Sequence, residues 1–193
     1  MSAILRSLIS ETEYLELERQ APNKSEYYKG EIFAMAGATK EHNKIVASII
    51  GAMSQHLKGK KCAYFPSDLR VHNNYNGFYT YPDVTVVCGK EEYLDNKFDT
   101  LLNPTAIFEV LSTATEGYDR GIKFKLYRTL PSLKNYVLVS STEFAAEVYT
   151  RNKDQWILST AKDKNDYIHI SAINYDFNLS DMYAQIDRFE AGQ

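Results

Sequence analysis

Tyr81-Pro82-Asp83-Val84-Thr85-Val86-Val87-Cys88, together with Ala106-Ile107-Phe108-Glu109-Val110-Leu111 further along, decides how this chain is read. Each is a short run of β-branched, aromatic and aliphatic residues bounded by turn formers, the pattern of a strand covered on both faces. Yet each run carries an acid. Asp83 opens the first and Glu109 lies inside the second, where an ionised carboxylate has to be paired, metal-bound or protonated. Side chains alternate along a strand, so Asp83 sides with Thr85 and Val87, and Glu109 with Ile107 and Leu111. If the strands are neighbours, the acids converge. Two such acids followed by a basic helix point to a divalent-metal site. Mg²⁺ binds through one or two carboxylates and keeps several waters, leaving room for a scissile phosphate. The competing reading has Asp83 capping the turn after Pro82 and Glu109 meeting a structural arginine.

The helix expected over Asp119 to Leu130, ended by Pro131, sharpens the case. At about 100° per residue, Ile122, Leu126 and Leu130 form its apolar stripe, with Lys123 and Tyr127 at the edge. Lys125 falls with Gly121 and Arg128 on the solvated side. Lys123 is therefore the lysine able to reach a site between helix and sheet, or else it snorkels along the apolar seam.

Working outward, Ser10 and Glu13 form a capping box for a helix reaching about Gln20. Tyr27 to Met35 reads as a strand, the second arm of a hairpin with its turn near Lys29-Gly30, flanked by Glu26 and Glu31. Ile45, Val46, Ile49, Ile50, Met53 and Leu57 recur at helical spacing from Lys40 to Leu57. Cys62 to Val71 is expected as a strand, with Tyr81 to Cys88 as its neighbour across a turn at Asn73 to Gly77. Asn135 to Ser140 is the next strand. Ala145 to Arg151, Trp156 to Ala161 and Tyr167 to Ile170 read as an antiparallel meander. The core order is α-β-β-β-α-β. One domain is expected over 1–193, a core at 10–150 and a β-rich extension at 151–193. The exposed-looking aromatics Tyr149, Trp156, Tyr167, Tyr175, Phe177 and Tyr183 of the tail suit a longer sheet or a dimer interface.

The chain has 193 residues, 44% hydrophobic and 24% charged, with a formal net charge of -3 and a pI near 5.8. This excludes a protein coated in positive charge, so any nucleic-acid contact has to come from a local patch. Cys62 and Cys88 lack partners at metal-ligand spacing and are expected as reduced core thiols, which suits the cytoplasm. Met1 to Ile9 is too short an apolar stretch for a signal peptide, and no segment approaches a membrane span.

These residues resemble a known set. Pro82-Asp83 and Glu109-Val110-Leu111 in an α-β-β-β-α-β order look like the PD-(D/E)XK nuclease superfamily. More closely, the chain is similar to a bacterial family of restriction endonuclease-like domains of unassigned function. The likeness rests also on Gly30-Glu31, His42 at the start of the long helix, Ser67-Asp68-Leu69-Arg70-Val71, Ser112, Asp119-Arg120-Gly121-Ile122-Lys123 and Tyr136-Val137-Leu138-Val139. It covers about residues 10 to 150. The superfamily's lysine two residues after the glutamate is replaced by Leu111. The close family shares that replacement and supplies the cation from the following helix, where Lys123 stands. The resemblance implies a mixed α/β (α+β) restriction endonuclease-like core, a central mixed sheet flanked by helices, with an antiparallel C-terminal extension. It implies an Mg²⁺- or Mn²⁺-dependent endonuclease acting on DNA. Asp83 and Glu109 would bind metal, Lys123 would position water, and Glu31, His42, Asp68 and Asp119 are candidates for the pocket. On their own these four read differently: Glu31 as a solvated hairpin residue, His42 as an incidental helix-start residue, Asp68 as the partner of Arg70, and Asp119 as a helix-start acid. A homodimer is expected, the commonest oligomer and the easiest way to cut both strands of a duplex. The rival is a non-catalytic nuclease-fold binding or assembly module whose acids and lysine form a structural ion-pair cluster.

Overall fold

The computed structural model describes residues 8–35 and 37–186. α1 (Glu11–Glu18) starts at Ser10, whose hydroxyl accepts from the Glu13 amide while the Glu13 carboxylate accepts from the Ser10 amide. β1 (Ser25–Tyr28) and β2 (Glu31–Ala34) form a hairpin. Its two-residue turn has positive φ at both Lys29 (50°) and Gly30 (88°), the backbone whose twist matches paired strands. α2 (Lys40–His56) is capped by Thr39 and buries Ile45, Ile49 and Met53.

There follow β3 (Cys62–Pro66), β4 (Arg70–Asn73), β5 (Phe78–Thr80), β6 (Val84–Cys88), β7 (Thr100–Leu101) and β8 (Ala106–Leu111). A helical stretch comes next. α3 (Glu116–Tyr118) passes through a π turn, Asp119–Lys123, into α4 (Phe124–Tyr127). β9 (Asn135–Ser140), β10 (Ala146–Asn152), β11 (Gln155–Ala161), β12 (Tyr167–Ile170), β13 (Tyr175–Asn178) and α5 (Leu179–Met182) complete the described chain.

The central sheet is mixed, in the order β11-β10-β9-β8-β6-β3, with β8 and β9 parallel and the other pairs antiparallel. One face carries Val84, Val86, Phe108, Val110 and Val137 against Ile45, Ile49 and Met53 of α2. The other carries Ile107, Leu111, Tyr136 and Leu138 against Leu126 and Tyr127 of α4 and Val71 and Phe78 of a second sheet. Burial on both faces explains the uninterrupted apolar runs of β6 and β8. The second sheet runs β2-β1-β5-β4-β7. Its strands β4, β5 and β7 are inserted between members of the α2-β3-β6-β8-α4-β9 series, so the fold is a mixed α/β, restriction endonuclease-like core.

Several expectations are corrected. Cys62 to Val71 is two strands, because the chain turns at Pro66 to Leu69 and passes from the central sheet to the second one. β12 leaves the meander and pairs with β13, since Ile168, Ile170 and Phe177 are drawn into the core under α2. Phe177 and Tyr183 are therefore buried rather than exposed. Ile122 is 56% exposed, because the π turn shifts the helical phase that placed it on the apolar stripe. Cys62 and Cys88 are not free thiols but a disulfide, the β3–β6 register setting them directly opposite. The neighbouring Gly89 amide donates to the Lys61 carbonyl, so the cysteines occupy the closely spaced, non-hydrogen-bonded position of the ladder. With the thiols paired, their reduced state no longer argues for the cytoplasm. No helix of the described residues is long and apolar enough to cross a membrane.

Candidate active site

Glu109 sits at the middle of β8, on the face it shares with Ile107 and Leu111 and turned toward the π turn and α4. Only 4% of it is exposed. Asp83 lies one step beyond the Val84–Phe108 pair, which brings it alongside Glu109 on the neighbouring strand. Pro82 has no amide to extend the ladder. Asp83 Oδ2 instead accepts from the Val110 amide at 2.7 Å and lies 3.1 Å from His42 Nε2, contributed by the first turn of α2.

Lys123, 5% exposed, comes from the last residue of the π turn. Its Nζ is 2.9 Å from Glu109 Oε1, 3.0 Å from Glu26 Oε1 and 3.6 Å from Asp119 Oδ1. Asp119 and Lys123, four residues apart on one helical face, both point inward, whereas Lys125 is exposed on α4. Hydroxyls complete the arrangement. Tyr127 donates to Glu109 Oε1 at 3.0 Å, Thr80 to Glu26 Oε1 at 2.6 Å, and Tyr118 to Glu26 Oε2 at 3.1 Å.

The electrostatics follow from burial. Desolvation pushes the Glu109 carboxyl well above its ordinary value against the pull of Lys123, and the nearby Asp83 charge pushes the same way. Burial raises Asp119 too, again opposed by Lys123. For Lys123, burial alone would lower the ammonium, but the Glu109, Glu26 and Asp119 carboxylates outweigh it and hold it well above the usual lysine value. Burial likewise holds Tyr127 up, so it stays a neutral donor.

Glu26, Asp83, Glu109, Asp119, Lys123 and His42 line one cleft of about 670 Å³, whose outer wall includes Phe33, Met35, Lys24 and Tyr81. Two of the expected pocket residues are elsewhere. Glu31 is exposed on β2, paired with Tyr28 at the hairpin turn, and does not line the cleft. Asp68 points to solvent and pairs with Lys24 at 3.0 Å. It does not pair with Arg70, which is buried against Thr100, Tyr81 and Asp99. Asp119 is not an exposed helix-start acid. The residues that sequence reasoning missed are Glu26, Thr80, Tyr118 and Tyr127. Glu26 was noticed only as a flank of the hairpin turn. Strand alternation carries a signal for it, since Glu26 shares a face with Tyr28, which packs against Phe78.

As a cation site, the donor set is hard oxygen. Asp83 Oδ1 and Glu109 Oε2 accept no hydrogen bond among the described residues, while their sister oxygens are held in place. Among the described residues no group of three His, Cys, Asp or Glu forms a ready cage.

A family model for Uma2, described as "Putative restriction endonuclease", matches residues 12–181. The chain belongs to the Uma2 family. Two curated proteins of Synechocystis are similar to it. "Uncharacterized protein slr1290" is 36% identical over 176 residues, 91% of each chain. "Uncharacterized protein sll1609" is 34% identical over 165 residues, 85% of this chain and 93% of that one. A solved structure from Anabaena variabilis, described as a putative nuclease belonging to DUF820, aligns with a TM-score of 0.73 at 16% identity. The alignment covers 91% of this chain and 98% of the other, so the Uma2 chain has that fold.

Proposed function

We propose that this Uma2 chain is a metal-dependent phosphodiesterase acting on DNA, with Asp83 and Glu109 holding Mg²⁺ or Mn²⁺ and Lys123 placing the attacking water. The observation that carries this reading is the position of Lys123 Nζ, 2.9 Å from Glu109 Oε1, in the cleft that Asp83 also enters. The descriptions of the family and of the solved neighbour support a nuclease-like function in the same sense. So does charge: the cleft is lined by the acids Glu26, Asp83, Glu109 and Asp119 against Lys123 inside and Lys24 at the rim, an imbalance that favours a further cation.

A divalent ion held there supplies charge for the phosphoryl oxygens and lowers the pKa of water. The chain's own groups do the rest. Lys123, kept protonated by three carboxylates, offers donors to an attacking water or to a phosphate oxygen. Tyr127 and Val110 fix the orientation of the Glu109 and Asp83 carboxylates, and His42 buttresses Asp83 from α2. A homodimer, the commonest oligomer, would carry two such clefts.

The close pairing of Lys123 with Glu109 and Glu26, with Asp119 at 3.6 Å, also favours a second reading, a non-catalytic binding or assembly module with a structural ion-pair cluster. Cleavage assays separate the two. Expected is DNA hydrolysis with Mg²⁺ or Mn²⁺ that stops on chelation. It should fall in Asp83→Asn and Glu109→Gln by more than the roughly 10- to 100-fold typical of an outer-shell partner. Absence of hydrolysis on single-stranded, double-stranded and branched DNA with either metal would sink the phosphodiesterase and leave the module.

A further inference from the structure

Phe33 is an aromatic ring in solvent beside a buried ion cluster, and the chemistry above gives it no task. It lies on β2, the edge of the second sheet, whose four residues are all exposed, and is itself 43% exposed. The β1–β2 register sets it directly opposite Glu26. Partners across an antiparallel ladder share a face, with Cβ atoms about 4.5–5.5 Å apart. Glu26 in turn holds Lys123 at 3.0 Å, so the ring stands next to the proposed reacting groups, and Phe33, Ala34 and Met35 form one wall of the cleft. Lys24 puts a cation at the same rim, held by Ser67 and by the exposed carboxylate of Asp68, which a phosphate would displace, and set 5.6 Å from the Tyr81 ring.

The depth of the cleft then limits what can enter. Its volume of about 670 Å³ lies in the range of small-molecule pockets, about 300–1,000 Å³. Glu109 and Lys123 are almost wholly buried in its lining. A phosphate on a stacked, paired duplex is carried on a stiff rod with its complement alongside, which restricts how far it can reach toward buried groups. A strand without a complement bends into the cleft, and the base released from stacking gains an aromatic face to lie on.

We infer that the cleft takes an unpaired DNA strand, one base stacking on Phe33 while the adjoining phosphate enters toward Glu109 and Lys123 and a flanking phosphate meets Lys24. This rests on the phosphodiesterase reading and names its substrate class.

The test is fluorescence anisotropy on the full chain in Ca²⁺, with a labelled single-stranded oligonucleotide and the same sequence as a blunt duplex. Cleavage of both is followed separately in Mg²⁺. The single strand should bind about tenfold or more tighter than the duplex. Phe33→Ala should lose roughly five- to a hundredfold in affinity for it, and Phe33→Trp should retain it. Equal or tighter duplex binding overturns the inference, as does a Phe33→Ala protein that binds the single strand like wild type. A Phe33→Ala protein that changes only from dimer to monomer assigns the ring to a contact between copies and overturns it as well. Binding is read without cleavage, so the two failures are distinct. A protein that prefers single strands and never cuts loses only the catalytic reading, while one that binds and cuts duplexes as readily as single strands loses only the strand preference.

Discussion

Lys123 holds a buried cluster of acids together, and its removal leaves Glu109, Glu26 and Asp119 facing one another without a cation. Stranding buried charge in this way costs about 3–5 kcal/mol. Lys123→Met should lower stability by that amount in denaturant melts of metal-free protein, whereas Asp83→Asn should cost clearly less, about 1 kcal/mol. Asp83 is partly solvated, an asparagine oxygen still accepts from Val110, and its charge adds to the repulsion on Glu109. A mild Lys123→Met or a costly Asp83→Asn would show that the cluster's charges are not balanced as described. Away from the cleft, hydrogen bonds from Arg19 hold the Asp99 carboxyl at about 2, below its ordinary 3.8. Its folded value is depressed, so its contribution is present above the ordinary value and is lost as pH falls toward the folded one. The Tm advantage of wild type over Asp99→Asn should therefore shrink from about pH 4 to pH 2; a constant difference would contradict the Arg19 assignment. Asp83, Glu109 and Lys123 were legible because an acid in an apolar run, or a lysine at the edge of an apolar stripe, stands out locally. Glu26 was not, because only the pairing of β1 with β5 and the approach of the π turn bury it.

At the scale of elements, the local signals were the readable ones. The Ser10–Glu13 capping box, the Lys29-Gly30 turn and the stripe of α2 each depend on neighbours within about a turn of chain. Gly51 lies on the exposed face of α2, and an added Cβ would meet nothing there. Gly51→Ala should raise stability by about 0.4–1 kcal/mol, whereas Gly30→Ala should lower it by more than that. At Gly30, φ is +88° and a Cβ would come within 2.7 Å of Leu8. Opposite signs are expected in parallel melts, and matching signs would contradict the turn geometry. The π turn was not readable, because an even 100° step has no place for an extra residue. It turned Ile122 out, while Asp119 and Lys123, four residues apart, keep to one inward face. Nor was the disulfide, which needs the β3–β6 register and not the spacing of two cysteines. It closes a separation of 26 residues, so Cys62→Ser should cost about 3 kcal/mol relative to the oxidised protein. An unchanged midpoint would mean that the thiols are not paired in solution.

At the scale of the molecule, the α-β-β-β-α-β order follows from the run of periodic segments, and the central sheet has it. The interleaving of a second sheet does not follow, because β4 (Arg70–Asn73) is mostly polar and β5 (Phe78–Thr80) only three residues long, so neither carries a strand pattern of its own. That second sheet supplies Glu26, Thr80 and the outer wall with Phe33, which together turn a pair of strand acids into a cleft. On the proposed reading this cleft is a cation site and not a self-sufficient ion-pair cluster. The most direct measurement is a calorimetric titration of Mn²⁺ into the full chain, beside Asp83→Asn verified as folded by its melt. Saturable binding by wild type, abolished in the folded Asp83→Asn protein, is the expected result. Wild type that takes up no Mn²⁺, or an Asp83→Asn protein that binds it equally well, would contradict it.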